Sequence, residues 1–292
     1  MRKAYNGIEA TPFFPLVIGV AAIVSAVGSG GPIHSAKANP AGEPVSPASE
    51  SATNPRESLE GRLSEEALWE RRFSGLWSLI EIIITQTELP VVGKLTAKTR
   101  IVSLFSLSFR NSRLVGSGKL CGMTVDSGTS LVTTRFPPSF VRALPPPEFN
   151  ARLIRKEDQW RLYHERQYLV VGAKLKNERA DQLPKTASDP RVFDQDNDGN
   201  PGVTVLIDGL ATGGIFVTQR TWTELTGSLQ APGRFYGQLG YGNEQQVLDA
   251  TAWYLKHPIQ LKPAPDRSHF YLIRMGQSAS CQEALRLAGF SF

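Results

Sequence analysis

The chain has 292 residues, of which 41% are apolar and 20% charged, with 26 glycines and 20 prolines. That apolar share supports a globular core and excludes a disordered chain, while the frequent Gly and Pro favour strands and turns over a helical bundle. The formal charge of +5 falls to about +3 once the first 38 residues are set aside, and no block of basic residues interleaves with aromatics, so no nucleic-acid partner is expected.

Arg2 and Lys3 precede an uncharged, mostly apolar run from Phe13 to Gly28, and Ala36-Lys37-Ala38 supplies an A-x-A pattern before Asn39. These are the three parts of a secretory signal over residues 1–38. The alternative is an uncleaved anchor that associates the chain with a membrane through the same segment, although Pro15, Gly19 and Gly28 dilute the run. Either way the remainder is expected outside the cytoplasm: periplasmic, in the cell envelope or secreted. Residues 39–62, rich in Pro, Ser, Ala, Glu and Asn, hold too few large apolar side chains to offset their ordering entropy and read as a flexible linker. Cys121 and Cys281 suit an oxidising compartment as one disulfide, two buried free thiols being the alternative; their spacing excludes a CxxC motif.

Residues 63–292 read as a single all-β domain, an antiparallel barrel or sandwich with short N- and C-terminal helices. Ser64 and the glutamates after it open a short helix through Arg72. The β-branched run Leu79 to Thr85 predicts a strand, and Ile101 to Phe109 its partner. Further strands are predicted near Lys119–Val125, Ser130–Thr134, Ala151–Arg155, Trp160–Leu162, Gln167–Val171, Val203–Ile207, Ile215–Gln219, Arg234–Tyr241, Val247–Leu255 and His269–Met275. Phe136 to Phe140 begins a proline-broken helical turn, and Cys281 to Leu287 a helix stopped by Gly289. Gly75-Leu76-Trp77 resembles the G-x-W signature that opens the lipocalin barrel, where the Trp closes one barrel end; a core Trp at a strand start explains the same tripeptide. That resemblance implies a carrier of an apolar ligand.

The sharpest chemistry lies in Asp194-Gln195-Asp196-Asn197-Asp198-Gly199-Asn200-Pro201-Gly202. Calcium takes six to eight oxygen ligands, and three alternating carboxylates in a tight loop can all turn inward. Gly199 permits the bend that turns the Asn200 carbonyl toward the ion. The loop departs from an EF-hand because Val205 stands where the bidentate Glu belongs and a β-type run follows, so Asp208 or Asp189 is expected to complete the set. An ion-free Asx-rich turn is the alternative. The block is similar to a group of uncharacterised exported bacterial proteins carrying DxDxDGxPGVTV, with Cys121, Phe136-Pro137-Pro138-Ser139-Phe140 and Gln219-Arg220 in matching order. This resemblance implies export and a β-rich body and brings no activity.

Val125-Asp126-Ser127-Gly128-Thr129-Ser130 resembles the active-site string of pepsin-like aspartic peptidases, in which two carboxylates share a proton. It would make Asp126 the catalytic group, with Ser127, Gly128 and Thr129 shaping its loop. No second D-[ST]-G exists, so catalysis would need a homodimer, and Asp-Ser-Gly equally joins two strands in any β protein. The scattered His164, His257 and His269 form no recognised zinc motif. Trp160, Trp222 and Trp253 read as core rather than as pocket lining. The chain is therefore expected to be a non-enzymatic exported protein, ligand-binding or structural, with calcium as its cofactor; a homodimeric aspartic peptidase and a lipocalin-like carrier are the alternatives.

Overall fold

Strand-forming runs dominate the residues described in this computed structural model, which are 65–89, 93–209, 212–256 and 261–290. The expected leader (1–38), the linker (39–62) and His257 lie outside them. Helix α1 (Glu65–Phe73) precedes β1 (Gly75–Leu89), β2 (Gly93–Arg110), β3 (Arg113–Asp126) and β4 (Val132–Arg135). Helix α2 (Pro138–Ala143) leads to β5 (Glu148–Lys156), β6 (Gln159–Val171), β7 (Val203–Gly209), β8 (Gly213–Ala231) and β9 (Arg234–Ala250). The short β10 (Lys262–Pro263), β11 (His269–Arg274) and α3 (Cys281–Leu287) complete the order.

Eight of the strands close into a ring in chain order: β1, β2, β3, β5, β6, β8, β9 and β11, the last pairing with β1. Every neighbouring pair is antiparallel, which makes an up-and-down barrel without free edges around its girth. Two of its hairpins turn on residue pairs with positive φ, Asn111-Ser112 and Glu157-Asp158, the backbone twist that matches flanking strands. Strand β8 is long enough to serve two sheets. Its Gln219–Ser228 stretch pairs with β6 in the ring, whereas Ile215–Val217 extends beyond it to pair with β7, which in turn pairs with β4.

Alternation sorts the side chains. One end of the barrel is filled by Trp77, Phe105, Phe149, Leu162, Phe235 and Phe270, each essentially without exposure. Helix α1 closes that end, with Trp69 edge-on to Trp160 at 4.9 Å and Phe73 edge-on to the same ring at 5.1 Å. Trp77 donates its indole N–H to the Phe73 carbonyl at 2.7 Å. At the other end Phe140 of α2 and Val203, Val205, Ile215 and Val217 build a second core beneath the β4-β7-β8 extension. Between the two cores the inner wall turns polar, with Glu81, Thr85, Thr99, Ser103, Thr221, Thr223 and Tyr241 all buried.

The outer face of β1 is buried as well. Ile80, Ile82 and Ile84 pack with Val102 under Ala284 and Leu285 of α3, which explains why the Leu79–Thr85 run is nearly continuous rather than alternating. A Cys121–Cys281 disulfide, with Cα atoms 5.1 Å apart, pins α3 to β3. Ser280 and Glu283 form a reciprocal capping box at the helix start.

Several sequence expectations change. Trp160–Leu162 and Gln167–Val171 are one strand, β6, interrupted by a bulge between His164 and Gln167. Val247–Leu255 is not a strand of its own: β9 runs unbroken to Ala250, and Trp253–Leu255 is a 3-10 turn. Trp253 is 66% exposed rather than core. Among the described residues no helix is long and apolar enough to cross a membrane.

Candidate metal centre

The acidic loop joins the end of β6 to the start of β7, and its backbone is fixed before any ion is considered. Gln195 N–H donates to the Gly202 carbonyl at 2.9 Å and Gly202 N–H to the Phe193 carbonyl at 3.1 Å, closing the loop on itself. The Gln195 side chain ties it to two neighbours, accepting from Gly172 N–H at 2.7 Å and donating to the Ala143 carbonyl at the end of α2 at 3.0 Å. Gly202 sits at φ +85°, where a Cβ would lie 2.3 Å from the Val217 carbonyl oxygen, so only glycine lets the loop lie against β8.

Within this frame Asp194, Asp196 and Asp198 converge, one carboxylate oxygen from each lying within 4.8 Å of the others. Asn197 and Gly199 both take positive φ, +54° and +87°, which wraps the chain around the three side chains. Asp194 accepts from Asp198 N–H at 3.2 Å and Gly199 N–H at 2.9 Å, and Asp198 accepts from Asn200 N–H at 2.9 Å. Asp196 is the inner member, 5% exposed. Its Oδ2 accepts from Thr204 N–H at 3.1 Å, while its Oδ1 has no partner within the protein.

The electrostatics follow from that placement. Burial is the main influence raising the Asp196 carboxyl, and the Asp198 and Asp194 charges push the same way. For Asp198 burial also acts upward but is outweighed by hydrogen bonds from Thr204 and Asn200, so its carboxyl lies below the ordinary range. A buried carboxylate with one oxygen lacking a donor, clustered with two more carboxylates, is chemistry that suits an oxygen-seeking divalent cation.

Two expected contributors are not part of this cluster. Asp208 lies at the far end of β7 and forms an ion pair with Arg135 of β4, which holds its carboxyl below the usual range. An extended strand carries it away from the loop, so the expected fourth carboxylate is corrected to a strand-pairing residue. Asp189 is held bidentately by Arg191 at 3.0 and 2.8 Å. Asn200 is present in the loop, its N–H committed to Asp198.

The Asp126–Thr129 string forms an exposed turn after β3. Asp126 accepts from Gly128 N–H at 3.0 Å, and Thr129 accepts from Leu131 N–H at 3.2 Å; Ser127 lies between them. These bonds shape the turn that separates β3 from β4.

The sequence reading gave no interior role to Glu81, His164 or Tyr241, which face the barrel interior. A lone Glu inside the run Leu79–Thr85 was the one signal available. No family model matches the chain, and no curated protein and no solved structure matches it either.

Proposed function

We propose that this chain is an exported, non-enzymatic β-barrel protein whose acidic loop holds one calcium ion in a structural role. The observation that carries the reading is Asp196, buried with one unpartnered oxygen and clustered with two further carboxylates. The ion would be held by Asp194, Asp196 and Asp198 and would relieve their mutual repulsion. Because Gln195, between these ligands, is bonded to both Gly172 and Ala143, ordering the loop would also fasten β6 to α2. The disulfide and the signal-like N-terminus support an extracytoplasmic setting, where calcium is abundant enough for affinities of about 10⁻⁴–10⁻³ M.

Calorimetric titration of the purified protein with calcium tests this directly. One saturable site is expected, lost in Asp196→Asn, together with a Tm that rises with calcium and falls on chelation. Absence of a site in the wild-type protein, or an unchanged site in Asp196→Asn, would overturn the reading. The apolar-carrier alternative would require movement of Trp77, Phe105, Phe149 and Phe235, whose lack of exposure leaves no water-sized space against them.

A further inference from the structure

On the outer wall of the barrel, the bulge in β6 sets two consecutive residues, Glu165 and Arg166, against the single Glu224 of β8, and both are exposed. Beside them lies an open groove of about 590 Å³, within the range of small-ligand sites, about 300–1,000 Å³. Arg113 of β3, Asn150 of β5, residues 165–168 of β6 and residues 175–179 of the segment after it line the groove. It shares no residue with the acidic loop.

The groove is held in shape by bonds that leave its cations unanswered. The Asp181 carboxylate accepts from the Lys176 and Asn177 N–H groups at 3.0 Å each, and Asn177 Oδ1 accepts from Arg179 N–H at 3.0 Å. Arg220 of β8, ion-paired with Glu244, donates to the Glu178 and Asp181 carbonyls at 3.1 and 2.7 Å. Lys176 and Arg179 therefore stand on a fixed backbone, and the Arg179 guanidinium lies 5.7 Å from the Tyr168 ring. Arg113 donates through Nε to Asn150 Oδ1 at 2.8 Å, which orients its fork and leaves the terminal nitrogens for a ligand. Arg166 is already satisfied, forked onto Glu224 at 3.2 Å and stacked on Trp222 at 3.7 Å, and Glu165 is answered from outside by Arg152 at 3.7 Å. Among the described residues Arg113, Lys176 and Arg179 have no carboxylate partner, and Glu178 is the one unpaired acid beside them.

Three cations against one carboxylate leave an excess of two positive charges around a single groove. Guanidinium forks match the paired oxygens of phosphate and carboxylate groups, and the lysine adds a point charge. Donors already oriented by Asn150 and Tyr168 lose little further freedom when a ligand arrives. The volume exceeds what one small inorganic ion would fill. We propose that this groove binds a small molecule carrying two or more anionic groups, phosphate or carboxylate, gripped by Arg113 from β3 and by Lys176 and Arg179 from the segment after β6. The site does not rest on the calcium reading.

The test is calorimetric titration of the full chain at low ionic strength with three probes: glucose 1,6-bisphosphate, tricarballylate and uncharged glucose. One saturable site is expected for the bisphosphate, the tricarboxylate or both, the tighter probe identifying the preferred anionic group, and none for glucose. Arg113→Gln and Arg179→Gln should each weaken binding by roughly tenfold or more. Lys156→Gln, which removes an exposed cation outside the groove, should change it by less than about twofold, because a distant surface charge is screened. Asp196→Asn should bind the probe as the wild type does, which separates this site from the acidic loop. Absence of saturable binding by either anion, or equal binding of glucose, would overturn the proposal. So would wild-type affinity in both arginine variants, or a loss in Lys156→Gln or Asp196→Asn as large as theirs.

Discussion

Glu81 and His164 face the same interior from opposite walls of the ring, and burial moves their proton equilibria in opposite directions. The Glu81 carboxyl is pushed from 4.5 up to about 8, and the His164 imidazole is held from 6.5 down to about 4 despite a hydrogen bond with the Glu165 backbone. From 4.5 to about 8 the folded state keeps a Glu81 proton that the unfolded chain has released, so stability falls as pH rises through that window. From about 4 to 6.5 the unfolded chain binds a His164 proton that the folded state refuses, so stability rises with pH there. The slopes oppose one another up to 6.5, and above it Glu81 acts alone at up to about 1.4 kcal/mol per pH unit. Denaturant unfolding is therefore expected to show declining stability from pH 6.5 to 8 that Glu81→Gln removes. Persistence of the decline in that variant would locate its source elsewhere. A second residue-scale expectation concerns Gly202: alanine there meets both a positive φ and the Val217 carbonyl oxygen, and should cost about 1–3 kcal/mol by chemical denaturation.

At the scale of elements, α3 shows what a single covalent bond contributes. It covers the isoleucines on the outer face of β1, and Cys281 at its first turn is bonded to Cys121 across 160 residues of sequence. Cys281→Ser should lower stability by about 2–4 kcal/mol and increase dye binding to the uncovered Ile80, Ile82 and Ile84, measurable by denaturant melts with a hydrophobic fluorophore. A loss of stability without added dye binding would mean that helix packing holds without the bond. The strand itself was legible in Leu79–Thr85, but burial on both faces was not, because its cover comes from a helix two hundred residues later. The middle of β8 was hidden for a related reason: Thr221 and Thr223 belong to the polar band and erase the apolar alternation that marks a half-buried strand. The Asn111-Ser112 and Glu157-Asp158 hairpins lack the Asn-Gly or Asp-Gly signal, so β2–β3 and β5–β6 could not be joined from sequence. Within the acidic loop the three alternating aspartates are local in sequence and were readable. Asp208 was misassigned because its position depends on β7 being extended, a fact of sheet pairing with β4 and β8.

On the scale of the whole molecule, β8 joins two bodies with different supports. The ring through β1, β2, β11 and β9 closes on itself, is packed with aromatic side chains and is clamped from outside by α3. The β4-β7 extension with α2 is linked to it through one half of β8 and through the acidic loop, whose Gln195 bridges Gly172 and the Ala143 carbonyl. If the loop holds calcium as proposed, removing the ion would restore repulsion among Asp194, Asp196 and Asp198, and that strain would be adjacent to the bridge rather than to the ring. Local opening free energies vary across a fold, and the element with fewer independent ties opens first. Hydrogen exchange with and without calcium should therefore differ by tenfold or more for amides between residues 172 and 209. Amides of Leu79–Ile84 and Phe270–Leu272 should exchange at nearly equal rates in both conditions. Uniform acceleration across both sets would mean that the loop supports global stability rather than the extension. With Asp196→Asn the calcium-dependent difference should vanish while the slow exchange of the ring remains, which separates loss of the ion from loss of the fold.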